Sequence, residues 1–327
     1  MPVIGVFDSG EGGLSVLKEI TRLLPDEIYI YFSDNAHCPY GEKSPEYIQA
    51  RARAITEQML RDGADIIVVA CNTATAAAIS VLRAEYSDAA SSVVRERMLT
   101  LTSGRHDHIR FIGMEPAVKP AALGTRTGVI GVLATAGTLK GSKYLHTKES
   151  VDGNVRVVEH VGQGFVELVE NGILSGPEAE RVVSSSLEPL LRSGADTIVL
   201  GCTHYPFLLP VLQKVAGPGI TFIDPAPAVA RQLVSVMGEE NLLEPEKVAA
   251  LLKCCRTRLP AIASRIDSCC CPSAEPAYFT SSGADSAIVE DGETSVRIPQ
   301  VKLLSSGDSA PLHRLFDMIY NVRRIDS

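Results

Sequence analysis

Two cysteines stand at matching places in two copies of one phrase. Residues 63–72 read GADIIVVACN and residues 194–203 read GADTIVLGCT, with six of ten positions identical at an offset of 131. In each copy an apolar run ends on a cysteine, Cys71 or Cys202. Hydrogen-bonding residues follow: Asn72 and Thr73 after the first, Thr203 and His204 after the second. One such cysteine alone is most simply a small core residue. Two of them, at equivalent ends of a repeated unit, admit a different chemistry. If the units face each other, one thiolate can remove a proton from one side of a stereocentre while the opposite thiol delivers a proton to the other side. Each cysteine must then serve as base and as acid. A free thiol has a pKa of ~8.5 and is mostly protonated at neutral pH. The site must therefore supply activation from donors, a helix N-terminus or a protonated histidine.

A second echo lies upstream of each phrase. IGVFDSG begins at Ile4 and IGVLATAG at Ile130, an offset of 126. A chain that spells one unit twice suggests two related domains, with ligand at the carboxyl ends of the strands in the crevice between them. Asp8, Ser9 and Gly10 close the first of these strands, which places them beside Cys71 in the usual winding. The plain reading of Asp8 is a helix cap. Glycines 10, 12 and 13 make no dinucleotide fingerprint, because Ser15 stands where a third glycine belongs, and no Walker lysine follows. They can instead let backbone N–H groups approach a carboxylate.

The elements that must position these residues alternate strand and helix, the pattern of α/β architecture. Strands are expected at 3–7, 27–32, 65–70, 128–133, 155–159, 197–200 and 221–223. Helices are expected at 14–23, 45–61, 74–86, 177–193, 226–237 and 312–322. The strand runs are apolar throughout, which implies mostly parallel sheets covered on both faces. Residues 87–110 are rich in Ser, Arg, His and Thr and read as a surface insertion, partly helical. Past Gly238 the pattern weakens: a strand is expected at 276–280 and a loop at 283–294. The organisation expected is two α/β domains with a pseudo-twofold relation. The first is discontinuous, 1–116 plus 224–327, and the second is 117–223.

Composition narrows the function classes. The chain has 327 residues, 45% hydrophobic and 21% charged, with 31 Lys plus Arg against 39 Asp plus Glu, a net charge of −8. It has no Trp and no basic stripe, so phosphate-backbone binding is not expected and nucleic acid is no partner. No apolar run approaches the ~20 residues of a membrane span. The N-terminus carries no signal-peptide pattern, so a cytoplasmic location and thiol-state cysteines are expected. Cys254, Cys255, Cys269, Cys270 and Cys271 make no C-x-x-C pair, and metal is not expected there or elsewhere. Cys38 reads as a spacer with no acid/base role.

Several blocks together resemble glutamate racemases, cofactor-independent enzymes that make D-glutamate for bacterial cell walls. They are FDSGEGGLSVL (7–17), YFSDNAHCPYG (31–41), VACNTAT (69–75), IGMEPAVKPA (112–121), GVLATAGTL (131–139) and GCTHYP (201–206). The resemblance covers residues 4 to about 233. It implies that Cys71 and Cys202 are the two acid/base residues, the first acting on D-glutamate and the second on L-glutamate. By the same resemblance Asp8 supports Cys71 and His204 supports Cys202. Asp8, Ser9, Tyr40, Gly41, Asn72, Thr73, Thr135, Thr203 and His204 hold the substrate. Glu170 matches a family carboxylate near the second thiol. No cofactor is implied. The family often forms homodimers, which stands here as an expectation. Two carboxylates on the substrate call for many neutral donors, and the Ser, Thr, Asn and backbone groups named meet that need.

Departures from the family lie at 87–110 and after about Glu239, where the chain is longer than usual. The alternatives are an aspartate racemase of the same superfamily, a one-thiol decarboxylase, and an amino-acid-binding protein without catalysis. The intact pair of thiols counts against the last two. Tyr40-Gly41 and Thr203-His204-Tyr205 favour glutamate over aspartate, on the resemblance alone.

Overall fold

The computed structural model describes residues 1–151, 153, 155–256, 278–279, 300–320 and 323–324. Eight strands of the two main sheets follow in chain order: β1 (Val3–Asp8), β2 (Ile28–Ser33), β3 (Ile66–Val69), β4 (Phe111–Gly113), β5 (Val129–Ala134), β6 (Arg156–Val161), β7 (Thr197–Gly201) and β8 (Thr221–Ile223). Three more come later, β9 (Tyr278–Phe279), β10 (Gln300–Ser305) and β11 (Arg323–Arg324). The first sheet has the order β10-β2-β1-β3-β4 and the second β6-β5-β7-β8, while β9 and β11 pair with each other. Every pairing is parallel.

The sequence echo is a structural one. Taking β1 to β5, β2 to β6, β3 to β7 and β4 to β8, the two sheets have one strand order. Their register also agrees: Ile4 lies opposite Ile66, and Ile130, 126 residues on, lies opposite Thr197, 131 residues on. Each Gly-Ala-Asp has a definite task. Gly63 (φ 108°) and Gly194 (φ 88°) turn the chain out of the preceding helices, Pro45–Arg61 and Gly176–Arg192, in the left-handed region that glycine tolerates. Asp65 then accepts the Val3 N–H at 2.8 Å. Asp196 accepts the N–H groups of Arg126 and Thr127 at 2.7 and 3.1 Å. The same carboxylate position thus staples the start of the central strand in each half.

The helices Leu14–Leu23, Pro45–Arg61 and Thr221–Ile223 strand match their expected bounds. The helix Asn72–Tyr86 starts two residues earlier than its pattern suggests, because Cys71 caps it. The strands β4 and β10 and the short helices Val118–Gly124, Ser142–Glu149, Phe165–Glu170 and Leu209–Ala216 give too few residues for a period to register. Chain after 239 rejoins the first sheet through β10. The loop expected at 283–294 and the side chains of all five C-terminal cysteines lie outside the described residues; β9 falls within the strand expected at 276–280. Among the described residues, no helix is long and apolar enough to cross a membrane.

The 87–110 segment is largely exposed and partly helical, as expected, and it also reaches into the core. Its helix Ser92–Leu101 buries Val94 and Met98, an i, i+4 pair, against the helix Asn72–Tyr86 side of the core. Arg105 donates to the carbonyls of Leu60 and Gly63, tying the insertion to the end of the helix Pro45–Arg61. Met98 is fully buried. Met98→Ala is expected to cost about 2–5 kcal/mol by lost transfer energy and cavity formation. Chemical denaturation measures it, and a loss below about 0.5 kcal/mol would return the segment to the solvated surface.

Candidate active site

The carboxyl ends of β1, β3, β5 and β7 bring most of the expected residues together. Asp8 ends β1, Cys71 follows β3, Thr135 follows β5 and Cys202 follows β7. Asp8 is fully buried and caps no helix. Its carboxylate accepts the Ser9 N–H at 2.6 Å and the Thr203 hydroxyl at 2.9 Å, the latter reaching over from the second half. Burial raises the pKa of Asp8, opposed by the charge of His204 and by hydrogen bonds from Cys71, Ser9 and Thr203.

Cys71 is 4% exposed and packs at the N-terminus of the helix Asn72–Tyr86. Its Sγ accepts the Ala74 N–H at 3.4 Å and lies 3.6 Å from the Ser9 hydroxyl. Burial first, and the Asp8 charge second, push the thiol well above its ordinary value. Cys202 has a different partner. Its Sγ lies 3.6 Å from His204 Nδ1, and His204 Nε2 lies 2.5 Å from Glu170 Oε1. Burial works to lower the His204 pKa, but hydrogen bonds to Cys202 and Glu170 outweigh it and hold the imidazole well above its ordinary value. Glu170 also accepts the Glu11 N–H at 3.0 Å, so it is turned into the cleft.

Hydroxyls bridge the halves nearby. Thr73 Oγ1 lies 2.9 Å from Thr135 Oγ1 and 3.4 Å from Thr138 Oγ1, and Thr135 and Thr138 are 2.9 Å apart. Asn72 is 3% exposed, yet neither side-chain oxygen nor nitrogen has a partner among the described residues. A buried amide left open in this way is a ready contact for a ligand's ammonium and carboxylate. Tyr40 is buried with its hydroxyl given to Asp34, which Arg51 also grips at 2.7 and 2.9 Å. The Tyr40 hydroxyl is thus already engaged, and the neighbouring Gly41 lies against Thr135.

Some participants were not anticipated. Thr138 closes the hydroxyl trio, Ser15 donates to the Thr203 carbonyl at 2.9 Å, and Glu11 and Asn35 meet at 3.2 Å below the loop. Thr138 stood in the LATAGT block, three residues from Thr135 on the same helical turn, and spacing alone could have found it. Cys38 lies against the same cleft wall as Glu170.

Comparison with known proteins finds relatives of this chain. A family model described as Asp/Glu/Hydantoin racemase matches residues 105–233. A glutamate racemase from Ectopseudomonas mendocina is 46% identical over 247 residues, 76% of this chain and 86% of that one. A solved glutamate racemase, isoform RacE1 of Bacillus anthracis, aligns over 99% of this chain and 97% of its own at TM-score 0.67 and 26% identity. The Escherichia coli glutamate racemase, solved with L-glutamate and the activator UDP-MurNAc-ala, aligns over 72% of this chain and 82% of its own at TM-score 0.59 and 36% identity.

Gly12 explains how the imidazole is seated. A Cβ there would stand 2.3 Å from His204 Nδ1, so the ring rests directly on bare backbone. Gly12→Ala must displace the ring and break its contacts with Cys202 and Glu170. Imidazole 15N shifts are expected to show His204 still protonated at pH 7.5 in the native protein. In Gly12→Ala the titration should fall back toward the ordinary value of 6.5. Unchanged shifts would mean that the ring does not depend on this seat.

Proposed function

The chain belongs to the glutamate racemase family, and from that premise we propose that Cys71 and Cys202 are its two acid/base groups, acting from opposite sides of the substrate Cα. The observation that carries this reading is the pairing of each thiol with a different proton partner in one closed cleft: Cys71 with Asp8, Cys202 with His204 and Glu170.

The arrangement suits entry of L-glutamate. An imidazolium facing the Cys202 sulfur favours a thiolate there. That thiolate takes the Cα proton, and the electron pair left behind spreads onto the adjacent carboxylate. Cys71, kept as a thiol by burial and by Asp8, gives its proton to the other side, and D-glutamate results. The reverse reaction starts with Cys71 as base, its proton drawn toward Asp8. Asn72, Thr73, Thr135, Ser9, Thr203 and the main chain at 40–41 supply neutral donors and acceptors for the two carboxylates and the amino group. Closing the cleft around them excludes water and strengthens each of these contacts. The two sheets form two domains, 1–116 with 224–327 and 117–223. D-glutamate so made supplies peptidoglycan synthesis in the cytoplasm.

Labelled turnover tests the assignment. In D2O the native protein should racemise L-glutamate and place deuterium at Cα. Neither Cys71→Ala nor Cys202→Ala should racemise, but each keeps one base: Cys71→Ala should slowly exchange the Cα proton of L-glutamate with retention, and Cys202→Ala that of D-glutamate. Because the enantiomers have equal free energy, His204→Asn must lower kcat/KM by one factor in both directions, about 10²–10⁴. Full racemisation by either alanine variant would falsify the two-thiol reading, and the opposite exchange pattern would exchange the faces. L-aspartate run in parallel checks the substrate.

A further inference from the structure

We propose that Cys38, Glu170 and His204 form a binding site for a soft divalent cation, Zn2+ above all, whose occupation switches the enzyme off. The three side chains come from separate elements: the loop after β2, the end of the helix Phe165–Glu170, and the turn after β7. One ligating atom of each, the Cys38 sulfur, a Glu170 carboxylate oxygen and a His204 ring nitrogen, lies within 4.8 Å of the others. Thiolate, imidazole and carboxylate are the donor set that zinc prefers. Bonds of about 2.0–2.3 Å in a tetrahedron hold ligand atoms about 3.3–3.8 Å apart, so Glu170 Oε1, now 2.5 Å from His204 Nε2, must rotate back from the ring to admit the ion.

Gly10 keeps the gap between the ligands open. A Cβ at that position would stand 2.3 Å from Glu170 Oε1 and 3.1 Å from Cys38 Sγ, against both of these groups. Charge also favours the ion. One thiolate, one carboxylate and a neutral imidazole balance Zn2+, leaving no net charge in a largely buried place. Burial pushes the Cys38 thiol up to about 11, so without metal it stays protonated and neutral; a bound cation deprotonates it outright.

Binding releases two protons, the Cys38 thiol proton and the one shared by His204 Nε2 and Glu170 Oε1. Three sites on the ion go to protein and the fourth to water. The imidazole, bound through Nε2, then faces Cys202 with a neutral Nδ1–H, and the positive charge beside that sulfur is gone. This last consequence rests on the role proposed for His204; the site itself does not.

Titrating the full chain with Co2+ reads the site without reference to turnover. The native protein should develop near-ultraviolet thiolate-to-cobalt absorption that Zn2+ displaces, and Cys38→Ser should lose the component of highest affinity. In parallel, Zn2+ should inhibit racemisation reversibly by EDTA. Cys38→Ser should keep its uninhibited rate and need at least about tenfold more Zn2+ for the same inhibition, a difference of about 1.4 kcal/mol in binding. Gly10→Ala should likewise abolish the cobalt band. Equal cobalt binding and equal inhibition in native and Cys38→Ser protein would overturn the proposal, placing the ion on other cysteines. Cobalt binding that depends on Cys38, in a chain that turns over no glutamate, would uphold the site and sink the proposed function instead.

Discussion

The buried carboxylate of Asp8 constrains the whole cleft. An ionised carboxyl with no exposure is costly unless donors surround it. Its donors come from its own loop (Ser9), the neighbouring strand end (Cys71) and the opposite half (Thr203). The third of these is present only when the halves are together. The bond that reaches from Thr203 across the halves thus ends on the same carboxylate whose charge acts on Cys71. Ser15 fixes Thr203 from the other direction through its carbonyl.

Duplication built the scaffold, and divergence built the chemistry. Both halves share strand order, register and a strand-stapling aspartate. The residues after the repeated strands are where they part. After β1 stands Asp8-Ser9; after β5, Ala134-Thr135. After β3 comes Cys71-Asn72-Thr73; after β7, Cys202-Thr203-His204. Each half keeps its cysteine. One half answers it with a carboxylate at the end of its central strand and the other with an imidazole two residues along. A symmetric frame thus holds two thiols in unlike electrostatic surroundings.

Much of this was legible in the residues. Apolar β-branched runs and amphipathic periods marked the central strands and the long helices within a residue or two. The repeated Gly-Ala-Asp phrase marked both cysteine-bearing strand ends, because the same local turn chemistry had to be spelled twice. What escaped detection depends on long-range geometry. Nothing around Asp34 and Arg51 announces that they claim the Tyr40 hydroxyl. Glu170 was named by the family resemblance alone, because its six-residue helix is too short for periodicity to tell which face turns inward. The insertion hid its buried pair, Val94 and Met98, among charged neighbours. The reading of Asp8 as a helix cap failed because glycines at 10 and 13 occupy the cap positions themselves.

The hydrophobic interior bears on traffic through the cleft. One unbroken cluster runs from Ile4, Val6, Leu17 and Ile20 of the first half to Phe165, Leu200, Tyr205 and Leu208 of the second. Prising the halves apart like jaws would wet that seam, at about 25 cal/mol for each Å² of oil-like surface exposed. Gliding one layer over the other keeps the seam dry, as in shear motions between packed layers. A lateral slip is therefore the less costly way to part the layers, and the hydroxyls of Thr73, Thr135 and Thr138 are polar contacts that bridge them.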